Sequence, residues 1–151
     1  MANTYTRLYV HAVIRVKRGY PRIKTAFEKE LHAYIGGIIK NRGHIPVTIN
    51  GVSDHVHILF IQRPIESLSG IMREVKSESS RLINEQKWVR RKFRWQVGYG
   101  AFSINHHNVD KVVGYIKRQN EHHAKGPTFR EEYEKFLDDY GIDWDVRYVE
   151  D

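Results

Sequence analysis

The order of strand-like and helix-like segments is the feature that most constrains the fold of this chain. In residues 7–16 every second side chain is apolar, which is typical of a strand with one buried face. Residues 25–41 instead carry apolar side chains at helical spacing. By the same criteria the later elements are predicted to be strands at 44–50, 52–62 and 95–104, and helices after Pro64, over about 109–123 and over 128–140.

These elements follow one another in the order βαββαβ, with two further helices at the end. That order is the ferredoxin-like split βαβ arrangement, so we predict an α+β fold with an antiparallel sheet. Asn50-Gly51 predicts a hairpin turn between the second and third strands. Without a linker or a repeat, the sequence predicts one domain over residues 1–151, in which one of the two C-terminal helices carries Tyr115. Such a fold by itself indicates no function.

The charge of the chain is unevenly distributed. Its 151 residues include 25 lysines and arginines against 18 aspartates and glutamates, a net charge of +7. An acidic tail over about residues 131–151 holds nine of the acids and two of the bases, so it carries −7 and the rest of the chain +14. Such a basic body is typical of a protein that binds a polyanion, most often nucleic acid.

Two absences narrow the possibilities further. The chain has no cysteine, which excludes disulfides, thiol nucleophiles and iron–sulfur clusters. It has neither a signal pattern nor an apolar run of about 18 residues, so we expect a cytoplasmic protein without a membrane partner.

Two histidines occupy alternate positions of the predicted third strand, in Asp54-His55-Val56-His57. Alternate residues of a strand face the same way, so both imidazoles should lie on one face, roughly 6–7 Å apart. Such a pair can converge on one cation. The alternative is a polar sheet surface that holds two histidines without a ligand.

Tyr115 and Gln119 lie one turn apart on a predicted helix. A tyrosine hydroxyl can act as a covalent nucleophile, and the side-chain oxygen of Gln119 can complete a metal shell with two histidines. Alternatively, the tyrosine is half-buried packing and the glutamine is solvated. Two imidazoles and one neutral oxygen would suit manganese or another transition ion better than magnesium. Two more residues on this helix are candidates for positions behind the metal ligands: His122 and His123. The alternative is a polar helix end, where histidines complement the helix dipole.

Basic residues are frequent along the second helix and the loop after it, beside Trp88 and Trp95. Cations interleaved with aromatic rings suit a single nucleic-acid strand, whose phosphates need charge and whose bases stack. A solvated basic helix face is the alternative. The predicted DNA-binding residues are Arg73, Lys76, Arg81, Arg90, Arg91, Lys92 and Arg94.

Three segments, taken together, resemble the single-tyrosine HUH transposases of small bacterial and archaeal insertion sequences, the IS200-like transposases. His55-Val56-His57 is similar to the HUH motif of that family. Tyr115 with Gln119 and His122-His123 is similar to its Tyr-Ile-x-x-Gln-x-x-His-His segment. Between them, residues 95–103 are similar to its Trp-Gln-x-Gly-Tyr-Gly-Ala-Phe-Ser signature. The resemblance extends over about residues 8–142, and three motifs in the right order make it specific.

The resemblance implies an enzyme that cuts and rejoins single-stranded DNA at the ends of its own element. Tyr115 would form a 5′-phosphotyrosine link, and His55, His57 and Gln119 would hold a divalent ion, Mg²⁺ or Mn²⁺. The implied partners are DNA hairpins at the element ends and a second copy of the chain, in a homodimer whose tyrosine helices complete each other's histidine sites. Such a protein would be cytoplasmic, and associated with the nucleoid when bound to DNA.

Two other functions are compatible with a basic ferredoxin-like chain. A non-catalytic RNA-binding module would stack bases on aromatic residues of its central strands, but here those positions hold histidines and Phe60 faces the other way. A phosphoesterase with histidines as acid and base would need paired His-x-Thr or His-x-Ser motifs, which are missing. The DNA strand transferase is therefore the leading prediction.

Overall fold

Four strands form one antiparallel sheet in the order β2-β3-β1-β4. The computed structural model describes residues 3–146 and residue 149. The strands are β1 (Leu8–Arg15), β2 (Ile45–Val52), β3 (His55–Gln62) and β4 (Gly100–Ile104). The helices are α1 (Thr25–Asn41), α2 (Leu68–Glu85), α3 (Val109–Lys117), α4 (Gln119–Ala124) and α5 (Phe129–Asp139), with a 3₁₀ turn at His106–Asn108. The predicted α+β class and βαββαβ order are confirmed.

One face of the sheet is covered by α1 and α2. Alternate residues of β1 and β3, among them Ile14, Ile58 and Phe60, pack there in the main apolar core. The helices supply the other side of this core through the positions that the sequence makes apolar: Phe27, Leu31, Ile35, Ile39, Ile71, Met72, Val75 and Ile83. Phe60 is therefore part of the core rather than a surface on which a base can stack.

The opposite face of the sheet carries the two histidines. Val13 of β1 pairs directly with His57 of β3, whereas the next pair, Ile14 and Val56, belongs to the main core. Because paired residues share a face, His55 and His57 point together toward α3, α4 and α5, which cover this side. The predicted orientation of the two histidines is confirmed.

The hairpin between β2 and β3 turns at residues 53–54, so the turn predicted at Asn50-Gly51 is wrong. Asn50 instead pairs with His57 within the sheet. Gly51 is needed because the strands approach closely there: a Cβ at this position would lie 2.2 Å from the carbonyl oxygen of His55. Gly51 therefore allows β2 and β3 to approach closely beside the histidine pair. A glycine required for close strand packing looks the same in the sequence as a glycine required for a turn.

The predicted strand at 95–104 becomes regular only at Gly100. The segment before it bends at Gly98, whose φ is +85°. The ammonium group of Lys76 binds this segment by donating to the carbonyl oxygens of Gln96 and Gly98, at 2.6 and 2.7 Å. These carbonyls are therefore satisfied by a side chain of α2 instead of a neighbouring strand.

The predicted helix over about 109–123 is divided at Arg118 into α3 and α4. At the division, the side-chain amide of Asn50 donates to the carbonyl oxygens of Ile116 and Lys117, at 3.0 and 3.2 Å. Carbonyls in the last turn of a helix have no partner within the helix, so this amide ends α3 and attaches it to the sheet.

The C-terminal part of the chain folds back on the sheet. α5 contains residues 131–139 of the predicted acidic tail, and residues 147, 148, 150 and 151 of that tail lie outside the described residues. Within residues 3–146, none of the helices has the length and apolar character needed to span a membrane.

Candidate active site

His55 and His57 lie on a strand that is hydrogen-bonded on both sides. β3 pairs with β2 along one edge and with β1 along the other. Both imidazoles are fully buried, and their ring centres are 5.1 Å apart. Backbone pairing on both edges fixes the spacing of the two rings, which places them within reach of one ion.

Each of these histidines has its Nδ1 atom bound by a neighbouring side chain. Nδ1 of His55 lies 2.6 Å from Oδ1 of Asp54, and Nδ1 of His57 lies 2.7 Å from Nε2 of His11. Burial and the neighbouring His57 lower the pKa of His11 to about 3, so His11 is neutral and can donate or accept this hydrogen bond, depending on its tautomer. The Nε2 atoms of His55 and His57 then face the interior of the site, as in histidines that bind metals.

Tyr115 and Gln119 approach the histidines from α3 and α4. Gln119 is fully buried, and its Oε1 lies 3.2 Å from Nε2 of His55. The ring of Tyr115 contacts His57 edge-on, with ring centres 5.8 Å apart. The structure thus brings the four predicted residues together within one chain.

A carboxylate that the sequence analysis missed lies at the centre of this cluster. Glu132 of α5 is only 5% exposed, and its Oε1 lies 2.9 Å from Nε2 of His57 and 3.2 Å from Nε2 of His55. Its Oε2 accepts a hydrogen bond from the hydroxyl of Tyr115 and lies 3.3 Å from Nε2 of Gln119. One side chain therefore contacts all three predicted ligands and the predicted nucleophile.

Burial and these hydrogen bonds shift the pKa values within the cluster. Burial raises the pKa of Glu132, but its hydrogen bonds with His55 and His57 outweigh burial and hold that pKa well below its usual range. Burial opposes protonation of His55, whose bonds to Asp54 and Glu132 nevertheless raise its pKa to about 9. Burial, followed by the bond to Glu132, raises the pKa of Tyr115. The proton of the hydrogen bond between Tyr115 and Glu132 therefore stays on the tyrosine hydroxyl, and the carboxylate of Glu132 is charged.

The cluster is covered by α4 and α5, which we call the cap. Phe136 of α5 packs against His57 and Tyr115, with ring centres 6.2 and 6.0 Å away. A cavity of about 330 Å³ beside α5 reaches Tyr115 and Glu132. The tyrosine is thus approached from this cavity, whereas the two histidines are closed off beneath the cap.

Residues 4–119 match the protein family described as IS200-like transposases. The chain belongs to this family. The match includes both histidines and Tyr115 and ends at Gln119, so α5 with Glu132 lies beyond it. Among curated proteins, none matches the sequence of this transposase significantly.

Two solved structures resemble the transposase in fold. One is a candidate transposase from Deinococcus radiodurans R1, 17% identical with a TM-score of 0.63, where the alignment covers 79% of this chain and 95% of that chain. The other is a REP-associated tyrosine transposase bound to a REP hairpin, 15% identical with a TM-score of 0.60, covering 82% and 73% of the two chains. At these identities the likeness concerns the fold alone.

His122 and His123 of the transposase border the cluster from α4. Nε2 of His123 lies 3.1 Å from Oε1 of Gln119 and 3.2 Å from Oε2 of Glu132. Nε2 of His122 lies 3.5 Å from the hydroxyl of Tyr115. His123 thus contacts the two oxygen-bearing side chains, while His122 faces the tyrosine.

The predicted DNA-binding residues lie mainly along two grooves on the α2 side of the sheet. Arg73, Lys76 and Arg94 line a groove of about 410 Å³ together with Trp95 and Tyr99. Lys76 is already bound to carbonyl oxygens of the segment before β4, so it shapes this groove as well as lining it.

A second groove, of about 700 Å³, contains the basic loop after α2. Arg90, Arg91 and Lys92 line it beside Trp88. Arg81, by contrast, forms ion pairs with acidic residues of its own helix. The structure therefore places six of the seven predicted residues along grooves that also expose aromatic rings.

Two of the missed residues left a signal in the sequence. Glu132 follows Phe129 by three positions and precedes Phe136 by four, so it lies on the apolar face of α5. His11 lies between Tyr9 and Val13 on the second face of β1, so its neighbours on that face are apolar or aromatic. A charged or polar side chain among apolar neighbours needs a partner, and both residues find it in the cluster.

Proposed function

We propose that this transposase cuts and rejoins single-stranded DNA at the ends of an insertion sequence through a covalent 5′-phosphotyrosine at Tyr115. The observation that carries the proposal is the shared contact at Glu132. The hydroxyl of Tyr115 and the Nε2 atoms of His55 and His57 all meet this one carboxylate. A nucleophile and a cation-binding pair are thus adjacent within one chain, and family membership supports the same reaction.

In the cleavage step the hydroxyl oxygen of Tyr115 bonds to phosphorus, and the bond from phosphorus to the 3′ oxygen breaks. The 3′ oxygen takes up a proton and leaves as a 3′-hydroxyl, while Tyr115 gives up its own proton. Oε2 of Glu132 already accepts the hydrogen bond from that hydroxyl, so a proton acceptor lies in place. Attack by a 3′-hydroxyl on the phosphotyrosine reverses these changes and reseals the strand without a nucleotide cofactor.

The donor set fits a divalent ion. The Nδ1 atoms of His55 and His57 are engaged elsewhere, their Nε2 atoms converge, and Gln119 adds a neutral oxygen. We propose that these three residues hold Mg²⁺ or Mn²⁺, of which Mn²⁺ suits two imidazoles better. When bound, such an ion neutralises charge on the scissile phosphate. The chain's own part is to position the tyrosine and to exclude water beneath the cap.

Hairpins in single-stranded DNA are the proposed substrate, since a structural neighbour is bound to a REP hairpin. Arginine and aromatic side chains side by side in the two grooves suit phosphates and unpaired bases. We propose DNA contacts for all seven basic residues predicted above. A protein acting on chromosomal DNA would work in the cytoplasm, on the nucleoid.

The resemblance also suggests a homodimer with composite sites. In this structure, however, Tyr115 contacts Glu132 and His57 of its own chain. One chain therefore already contains every residue that the proposed reaction needs. We accordingly propose that each chain uses its own tyrosine, while the homodimer itself stays a prediction.

The test is formation of a covalent adduct with labelled single-stranded hairpin DNA in the presence of Mn²⁺ or Mg²⁺. We expect an adduct with the wild-type chain, a loss of more than about a thousandfold for Tyr115→Phe, and hairpin binding that is largely retained. Tyr133→Phe, which alters another half-buried tyrosine, within the cap, serves as the matched control and should keep full activity. An unchanged adduct with Tyr115→Phe would refute the nucleophile. Equal affinity for unstructured RNA without any DNA cleavage would favour the RNA-binding alternative.

A further inference from the structure

We propose that Glu132, on the cap helix α5, is an anionic ligand of the divalent ion held by His55 and His57. The inference rests on the proposed function for the presence of that ion. Glu132 lies beyond the segment that matches the family and outside all three recognised motifs. It would change the donor set from two imidazoles and an amide oxygen into one that includes a carboxylate.

The carboxylate of Glu132 is positioned to contact both histidines at once. Oε1 of Glu132 lies within 3.2 Å of the Nε2 atoms of both His55 and His57, whereas Oε1 of Gln119 faces Nε2 of His55 and of His123. His55, His57 and Glu132 also form a group whose potential ligand atoms all lie within 4.8 Å of one another. Among the oxygen donors of the described cluster, Glu132 is therefore the one that both histidines face.

The charge around His55 gives the second argument. Its Nδ1 faces Oδ1 of Asp54 at 2.6 Å, and its Nε2 faces Oε1 of Glu132 at 3.2 Å. A neutral imidazole carries one N–H, so one of its nitrogens would turn a lone pair toward a carboxylate. A proton or a metal ion on Nε2 removes this repulsion. The two carboxylates that flank the ring thus favour a cation beside Nε2, a place that a divalent ion would fill when bound.

The carboxylate of Glu132 is also almost completely buried. A carboxylate that is 5% exposed is strongly unfavourable unless its charge is compensated. Glu132 also lies on the apolar stripe of α5, where patterning alone would place an apolar residue. A divalent ion held by His55 and His57 would compensate the charge of an acidic side chain at such a position. Glu131, the preceding residue, is exposed and has no such role.

The consequence is a metal site with two imidazole nitrogens and one charged oxygen. Such a set suits Mn²⁺, Fe²⁺ or Co²⁺ better than Mg²⁺, because imidazole is a poor ligand for a hard ion that prefers oxygen. The two oxygens of the carboxylate then face different partners, since Oε1 faces the histidines and Oε2 faces Tyr115. Metal affinity would therefore depend on a helix that the recognised motifs do not include.

The experiment is calorimetric titration of Mn²⁺ into the full metal-free chain, compared among Glu132→Gln, His57→Ala and the control Glu131→Gln. Even outer partners of metal ligands change affinity by about 10–100-fold, so a direct ligand predicts at least about a tenfold loss for Glu132→Gln. Glu131→Gln should bind Mn²⁺ like the wild type, and His57→Ala should lose binding. Thermal unfolding in EDTA shows whether each variant is folded.

The outcomes separate the two proposals. Wild-type affinity in Glu132→Gln with lost affinity in His57→Ala would overturn the role of Glu132 and leave the proposed function standing. No Mn²⁺ binding by the wild-type chain would overturn both the metal site and this inference. If Glu132→Gln does not fold, Glu132→Asp takes its place. Aspartate keeps the negative charge but is shorter by one methylene group, so its carboxylate lies farther from the histidines. Unchanged Mn²⁺ affinity in Glu132→Asp would contradict direct ligation.

Discussion

The sheet and the cap build the same site by different physical means. His55 and His57 are held by backbone hydrogen bonds on both edges of β3, so their spacing does not depend on which side chains surround them. Glu132 is held by the packing of α5, chiefly through Leu137 and through Phe136, which contacts the rings of the cluster. The sheet part matches the family, whereas α5 lies outside the match.

The difference indicates that the sheet part of the site is rigid, whereas the cap is held in place by side-chain packing against the sheet. A central strand can move only by breaking two ladders, but a helix held by side chains can lift as a unit. The scissile phosphate must reach the two histidines beneath the cap as well as Tyr115, so the region that has to yield is the one held without backbone pairing. The following three predictions test this division.

The largest expected effect concerns whether one chain suffices. His57→Ala and Tyr115→Phe should each reduce adduct formation by more than about a thousandfold. Because Tyr115 lies in the site of its own chain, we expect a mixture of the two variants to remain inactive in the hairpin adduct assay. Recovery of activity on mixing would instead establish composite sites in a homodimer, with the tyrosine of one chain serving the histidines of the other.

The second prediction compares the stability of the two regions. Ile58→Ala removes a fully buried side chain from the main core and should lower the free energy of unfolding by about 2–5 kcal/mol, measured by urea denaturation. Leu137→Ala, in α5, should lower it less and should speed amide hydrogen exchange mainly within α5. If amide hydrogen exchange in Leu137→Ala became faster in β3 by the same factor as in α5, the sheet and the cap would unfold as one unit.

The smallest expected effect concerns the charge of the two regions. Replacing Arg73 and Arg94 by alanine should weaken hairpin binding and reduce the slope of log affinity against log salt by up to about 0.9 for each phosphate that the protein no longer neutralises. Lys29→Ala, which alters an exposed lysine of α1 that lines neither groove, is the control and should leave the slope unchanged. A slope reduced as much by Lys29→Ala as by the arginine variants would contradict the two grooves as the DNA-binding surface.

The sequence allowed the sheet part of the site to be predicted, because its signals are local. Alternation within one strand is enough to place His55 and His57 on one face. Tyr115 and Gln119 are only four residues apart, so they stay close together even though the helix divides between them. Glu132 could not be assigned in this way, since it lies 75 residues from His57 in the sequence. Its run of acidic neighbours resembles an ordinary first helical turn, where acids are common for electrostatic reasons.

Two errors in the predicted elements have the same origin. Asn50-Gly51 carries a strong turn signal, but in the folded chain both residues serve contacts with other elements. The predicted single helix over 109–123 ends early because a side chain from β2 binds its last carbonyls. In each case a tertiary contact outweighs a local preference that the sequence alone displays.

Asn50 also affects how accurately the tyrosine can be aimed. This residue pairs with His57 in the sheet, and its side chain holds the end of the helix that carries Tyr115. Thermal motion of α3 is therefore coupled to β2 and, through the pairing of β2 with β3, to His57. Tyr115 and His57 consequently move together. Reactions between groups held in a constant relative geometry gain rate as if one partner were greatly concentrated. A single amide between sheet and helix thus acts as a spacer that sets the distance between nucleophile and ion-binding pair.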